Sequence, residues 1–326
     1  MPFGRARSER VTWSRGPFEE RVEMQRQVEL IGAAWGLGGA HPACADAPAH
    51  LMPLLEARLR ECGMAPNAGP VLAASARERR RQHAVSRLCQ NLAGAVAQAR
   101  RGDRLPCVIG GDHSCAAGTW AGVARTMQGS LGLVWIDAHM DAHTPGTSHT
   151  GRLHGMPLAW LLGENDDALY GLSAGVLEPS HVCLIGVRSF EPEEAERLQR
   201  LGVRVIHMDE VQRRGLDATL EEAFAIAADG TEMYGISIDL DAVTPTEAPG
   251  VGTPVNDGLP ALDLVRTVGE LGGGDRLAGV EIVEYVPPLD PDGRTARVAV
   301  DLAAAALCGP YQKPQVVAEA VEGNHP

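Results

Sequence analysis

The sequence predicts one α/β domain, with a mostly parallel sheet covered by helices on both faces. Two observations carry that expectation. Short, nearly continuous apolar runs alternate with amphipathic stretches, which is how doubly buried strands and their crossover helices read. No repeat period and no low-complexity linker divides the chain.

In chain order, strands are expected at 28–34 (VELIGAA), 106–111 (PCVIGG), 131–137 (LGLVWID), 181–187 (HVCLIGV), 203–207 (VRVIH), 234–240 (YGISIDL) and 278–286 (AGVEIVEYV). Between them lie helical stretches such as 76–101, whose apolar residues recur at helical spacing. Residues 1–26 interleave arginines with glutamates and lack the apolar stretch of a signal peptide, so they are expected to form a flexible extension. The domain is then expected to span 27–312, followed by a tail at 313–326.

Composition narrows the function classes. The chain has 326 residues, 44% of them hydrophobic, enough for a sizeable core. A formal net charge of -13 argues against nucleic acid as a partner, which requires basic patches; it could attract a cationic substrate, but taken alone it reads first as a solvated acidic surface. No apolar run is long enough to span a membrane. The cysteines (Cys44, Cys62, Cys89, Cys107, Cys115, Cys183 and Cys308) are odd in number, scattered and free of any CxxC pair. Reduced thiols in a cytoplasmic setting are expected of that pattern.

Acids and histidines cluster where the apolar runs end. GGDHS (110–114), DAHMDAH (137–143), DLDAVTP (239–245) and EYVPP (284–288) each come after an expected strand. That is the carboxyl edge, where open α/β sheets bind their ligands. Singly, each cluster has a plain structural reading. His113 can settle a turn, and Asp137, Asp239 and Asp241 can cap loops through backbone hydrogen bonds. Together they demand more, because unpaired carboxylates crowded at one buried edge repel and raise one another's pKa.

A pair of divalent cations removes that problem. The expected ligands are His113, Asp137, His139, Asp141, Asp239 and Asp241. Their carboxylates and neutral imidazoles balance two divalent charges. An oxygen-rich set without thiolates suits two Mn2+ ions better than Zn2+, with Ni2+ or Co2+ as alternatives. Such a pair generates a nucleophilic hydroxide near neutral pH.

GGDHS, DAHMDAH and SIDLDAVTP resemble, in this order, the three signature blocks of the ureohydrolase family, which includes arginases, agmatinases and formimidoylglutamases. The resemblance runs from about Val28 to Leu307. It implies an α/β/α sandwich around a sheet of about eight strands, and a dinuclear Mn2+ centre on the same ligands. It further implies hydrolysis of a guanidino substrate and a homo-oligomer, a trimer or a hexamer. His154, in GRLHG, matches the proton shuttle of arginases, and a histidine titrating near neutrality suits protonation of a departing amine. Asp141 would both ligate metal and accept a hydrogen bond from the attacking hydroxide. Glu284 matches the carboxylate that holds the guanidinium, a pairing with bidentate geometry, and Thr253 matches the threonine beside it. Glu281, in mid-strand, reads as packing or as serving the other face.

For the amino-acid end of the substrate, the resemblance assigns His143, Thr150 and Arg152 to the α-carboxylate and Glu191 and Glu194 to the α-ammonium. Thr150 keeps a hydroxyl. His143 and Arg152 stand where asparagine is usual, yet both can donate to a carboxylate. Glu191 replaces the more common aspartate, and with Glu194 it has a plain reading as helix-start chemistry around Pro192. His149 reads as exposed. The expected function is arginase activity, L-arginine and water giving L-ornithine and urea. The alternatives are a related guanidino-acid or N-hydroxyarginine amidinohydrolase, an agmatinase, or a non-catalytic metal-binding member of the fold. The last has no need of a proton-shuttle histidine.

Overall fold

The structure, a computed structural model, describes residues 27–74 and 81–309. The expected extension at 1–26, the start of the 76–101 helix and the tail at 313–326 lie outside the described residues. The frame is one eight-stranded sheet, with every strand pairing parallel. Its strands are β1 (Gln27–Ala34), β2 (Ala65–Ala73), β3 (Leu105–Gly110), β4 (Leu131–Ile136), β5 (Val182–Val187), β6 (Arg204–His207), β7 (Met233–Asp239) and β8 (Leu277–Val283). They lie in the order β2-β1-β3-β8-β7-β4-β5-β6.

Every expected strand is present within a few residues of its predicted bounds. β2 is the one the apolar pattern does not reveal. Its sequence, APNAGPVLA, contains two prolines and is largely exposed. It forms a sheet edge, where a missing backbone donor is tolerated and only one side pairs.

The helices are α1 (Ala47–Glu61), α2 (Arg81–Arg101), α3 (Ala116–Ala124), α4 (Pro157–Leu161), α5 (Pro192–Leu201), α6 (Met208–Arg214), α7 (Leu216–Ala228), α8 (Ala261–Leu271) and α9 (Arg294–Cys308). They form two layers. On one face Leu55 of α1, Leu220 of α7, Leu264 of α8 and Leu302 of α9 share a core with Val134 and Ile136 of β4. On the other, Leu88 of α2, Trp120 of α3, Trp160 of α4 and Leu198 of α5 pack with Leu133 and Trp135. Alternate side chains of one apolar strand thus feed opposite cores. Gly235 on β7 permits this packing, since a Cβ there would sit 2.0 Å from the Trp120 ring. The result is the α/β/α sandwich that the sequence predicts.

Strand order fixes where chemistry can sit. β3, β8, β7 and β4 are consecutive neighbours at the centre of the sheet. The chain steps from β3 to β4 across a gap that β7 and β8 fill later, which makes this the place where strand order reverses. The polar clusters come directly after these same strands, so they meet above the middle of the sheet.

Candidate active site

The centre is built from short turns at the carboxyl ends of the strands. After β3, the Asp112 carboxylate accepts from the backbone of Ser114 at 3.1 Å and of Gly38 at 2.9 Å, which orders the turn carrying His113. The His113 ring stacks on Trp135 of β4, with centroids 4.2 Å apart and planes 13° from parallel. After β4, the Trp135 indole donates to Asp137 Oδ2 at 2.9 Å. Asp141 comes next with φ at +49°, a backbone conformation that a non-glycine residue holds only when its surroundings insist. After β7, Asp239 Oδ1 accepts from the backbone of Asp241 at 2.9 Å.

These turns bring the expected ligands together as two donor groups. His113 Nδ1 lies 3.0 Å from Asp141 Oδ2 and 3.3 Å from both Asp137 Oδ2 and Asp239 Oδ2. His139 Nδ1 lies 3.2 Å from Asp241 Oδ2 and 3.6 Å from Asp137 Oδ1. Asp137 belongs to both groups, turning one oxygen to each. A carboxylate so placed would offer one oxygen to each of two cations.

Electrostatics test whether cations fit. Burial raises Asp141 to about 6, and the neighbouring Asp137 charge adds to the rise. Burial and then Asp241 and Asp137 push Asp239 well above the usual carboxylate range. Burial opposes the charged form of His113, but its contacts with Asp137, Asp141 and Asp239 outweigh that and raise it. His139 is raised likewise against its burial, chiefly by Asp241. The cluster therefore calls for positive charge. His113 Nδ1 is moreover a fully buried nitrogen with no well-formed hydrogen bond, facing carboxylate oxygens. An oxygen-rich set around such a nitrogen fits a divalent cation, whose binding would displace protons.

Beside this centre opens a cavity of about 140 Å³. Its walls include His139, Asp141 and Asp239 of the donor groups, together with His154. His154 Nδ1 is paired with Glu284 Oε1 at 2.9 Å. Burial disfavours the imidazolium, yet the Glu284 charge and hydrogen bond carry it up to about 9. Glu284, with φ at +66°, is 1% exposed and stands behind His154 rather than in the cavity wall. Its Oε1 also accepts from the backbone of His113 at 2.9 Å, and its Oε2 accepts from Cys44 Sγ at 3.4 Å. Three of its four lone-pair sites are thereby taken.

The expected substrate residues His143, Thr150, Arg152, Glu191, Glu194 and Thr253 line this same cavity. His149 does so too, from an exposed position. Their contacts differ. Thr253 Oγ1 donates to Asp241 Oδ2 at 2.8 Å, so it touches the donor group directly. His143 Nε2 lies 3.0 Å from Glu191 Oε2 and 3.3 Å from Glu194 Oε2, while its Nδ1 meets Thr147 Oγ1 at 3.1 Å. Glu191 and Glu194 form a capping box at the start of α5, so the helix-start chemistry is present as well. Glu194 Oε1 accepts from the backbone of Ala142 at 2.9 Å, tying α5 to the loop after β4. Thr150 and Arg152 are exposed at the mouth, where Thr150 Oγ1 accepts from the Arg152 backbone at 3.2 Å.

Sequence reasoning assigns no role to several residues that shape the site. Arg188 directs its guanidinium at the carbonyls of Gly186, Asp241, Ala242, Val255 and Asn256, at 2.7–3.2 Å. It staples the turn after β7 to the loop bearing Thr253. The only signal was an arginine directly after an apolar strand. Cys44 has no signal at all, since its partner Glu284 is distant in sequence.

Comparison with known proteins agrees with this arrangement. The model of the arginase family matches residues 26–309. The arginase of Bacillus caldovelox is 42% identical over 221 residues, 67% of this chain and 74% of that protein. Its native crystal structure superposes with a TM-score of 0.80 at 34% identity, covering 87% of this chain and 98% of the other. The Entamoeba histolytica arginase, solved in complex with L-ornithine, also gives 0.80, at 27% identity over 87% of this chain and 98% of its own. With a family match that spans all the described residues and the expected donor groups assembled at its sheet edge, the chain belongs to the arginase family.

Proposed function

We propose that this chain is a metal-dependent hydrolase that cleaves the guanidino C–N bond of L-arginine, giving L-ornithine and urea. The observation that carries this reading is His154, paired with Glu284 behind it, in the wall of the same cavity as His139, Asp141 and Asp239 of the donor groups. Relatives named arginases that share about two thirds of the chain support it.

When bound, a pair of divalent cations supplies Lewis acidity and makes hydroxide available near neutral pH. His113, Asp137, Asp141 and Asp239 would hold one of them, and His139, Asp137 and Asp241 the other. Asp141 reaches both the donor group and the cavity wall, so its carboxylate orients the attacking water. With His154 Nδ1 engaged by Glu284, the proton that ring offers to the cavity is the one on Nε2. It goes to the departing amine as the C–N bond breaks. Glu284 keeps His154 charged and has one lone-pair site left, on Oε2. It can therefore accept a single guanidinium hydrogen bond, and a bidentate pair, with one bond to each oxygen, would require one of the two Oε1 contacts, to His154 or to the His113 backbone, to open.

At the amino-acid end, the ring nitrogens of His143 are already taken by Thr147, Glu191 and Glu194. Reading the α-carboxylate then falls mainly to Arg152 and Thr150, and reading the α-ammonium to Glu191 and Glu194. Among the described residues the Arg152 guanidinium has no ion-pair partner, which leaves it available. Arg152→Ala is expected to raise KM for L-arginine about tenfold, the scale of one lost charge-assisted hydrogen bond, with kcat nearly unchanged. Steady-state kinetics check this, and an unaltered KM would remove Arg152 from substrate recognition.

The same reading takes Mn2+ as the working ion, because the donors are oxygen-rich and lack thiolates. It also takes the protein to be cytoplasmic and a homo-oligomer, a trimer or hexamer. No helix among the described residues is long and apolar enough to cross a membrane. The mass in solution and the metal content of the protein as isolated test these points.

A further inference from the structure

A buried carboxylate lies beneath the donor groups and takes no part in the proposed hydrolysis. Glu281, in the middle of β8, is 0% exposed among apolar neighbours. Such burial costs free energy unless every oxygen is satisfied. Here the oxygens are satisfied. Glu281 Oε1 accepts from the Thr119 hydroxyl and from Cys115 Sγ, and Oε2 accepts from Ser237 Oγ at 2.8 Å. Ser237 Oγ lies in turn 3.0 Å from His113 Nε2.

The direction of the His113–Ser237 contact follows from the others. Glu281 is the acceptor in all three of its contacts, and a serine hydroxyl has one proton to give. Ser237 gives that proton to Glu281, so its oxygen must accept from His113, and Nε2 carries the hydrogen. Nδ1 is then the nitrogen whose lone pair is free to ligate, and it is Nδ1 that faces Asp137, Asp141 and Asp239. Without Glu281, the serine is free to turn its proton toward Nε2. That favours the opposite tautomer, with a hydrogen on Nδ1 where a cation would bind. His139 has no comparable relay among the described residues, and its side chain is 26% exposed.

We propose that Glu281 and Ser237 are positioning residues that set the His113 tautomer, and that they thereby secure one of the two metal positions and not the other. This rests on the metal-centre reading above.

The test titrates metal-stripped protein with Mn2+, following free Mn2+ by electron paramagnetic resonance. Wild-type protein is expected to show two binding events. In Ser237→Ala and in Glu281→Met one event weakens about 10–100-fold, the scale of losing a ligand's orienting partner, while the other stays as in wild type. Glu281→Gln, whose amide oxygen still accepts the serine proton, is expected to restore the weakened event. Unchanged binding in Ser237→Ala and Glu281→Met overturns the proposal. So does an equal loss at both positions, which indicates general loosening, and thermal unfolding of the metal-free variants recognises that case. Wild-type protein that binds no Mn2+ overturns the metal-centre reading itself, a result distinct from either.

Discussion

Replacing His154 with alanine is expected to lower kcat for urea release by about 10²–10⁴-fold, the range for losing a positioned proton donor, while bound metal stays at the wild-type level. The two halves of this expectation come from different contacts. His154 lines the cavity beside Asp141 of the donor groups, but among the described residues the only hydrogen-bond partner of its side chain is Glu284. Removing the ring takes away the proton for the leaving amine and leaves the metal ligands in place. Metal loss in the variant would instead make His154 a structural prop. The same contact sets a pH dependence. Glu284 lifts the imidazole to about 9 against the effect of burial, and the imidazolium is the form that donates. Activity that depends on it persists below that pKa and is lost as pH rises through it. Cations seated nearby lower the value, so the alkaline limb is expected at or below about 9. In His154→Ala that limb should be absent, and a pH profile of kcat measures it.

Asp137→Ala is expected to be more severe, abolishing tight binding of both ions and cutting activity about a thousandfold or more. That is the scale of losing several kcal/mol of Lewis-acid stabilisation. Asp137 turns Oδ2 to the His113 group and Oδ1 to the His139 group. It is also the acceptor for the Trp135 indole at 2.9 Å. No other acid in the cluster is shared in this way. Asp241→Ala, by contrast, touches only the His139 group and is expected to weaken one ion. Metal analysis after dialysis checks both, and Asp137→Ala that retains two ions would show that it does not bridge.

The strands and the donor set are legible in the sequence for one reason. Parallel strands buried on both faces are continuous apolar runs, and the turns at their carboxyl ends are held at one edge. Strand pattern alone therefore places Asp137, His139, Asp141, Asp239, Asp241 and His113 together. β2 is not legible, because an exposed edge strand with two prolines carries no apolar signature. The partners of the site residues are not legible either. Arg188, Cys44, Ser237 and Glu281 act through contacts between distant segments, which local pattern does not encode. Glu281 shows this best. In the sequence it is one acid in a strand, and in the fold it accepts from Thr119, Cys115 and Ser237 beneath His113. His143 is visible as a repeat of His139, but its pairing with Glu191 and Glu194 emerges only when α5 docks against the loop after β4.

The most direct test of the account is urea release by metal-stripped protein reloaded with Mn2+, measured side by side on L-arginine and on agmatine, which lacks the α-carboxylate. The account predicts Mn2+-dependent release from L-arginine and far less from agmatine. No release from L-arginine by the Mn2+-loaded protein, or a preference for agmatine, would contradict it.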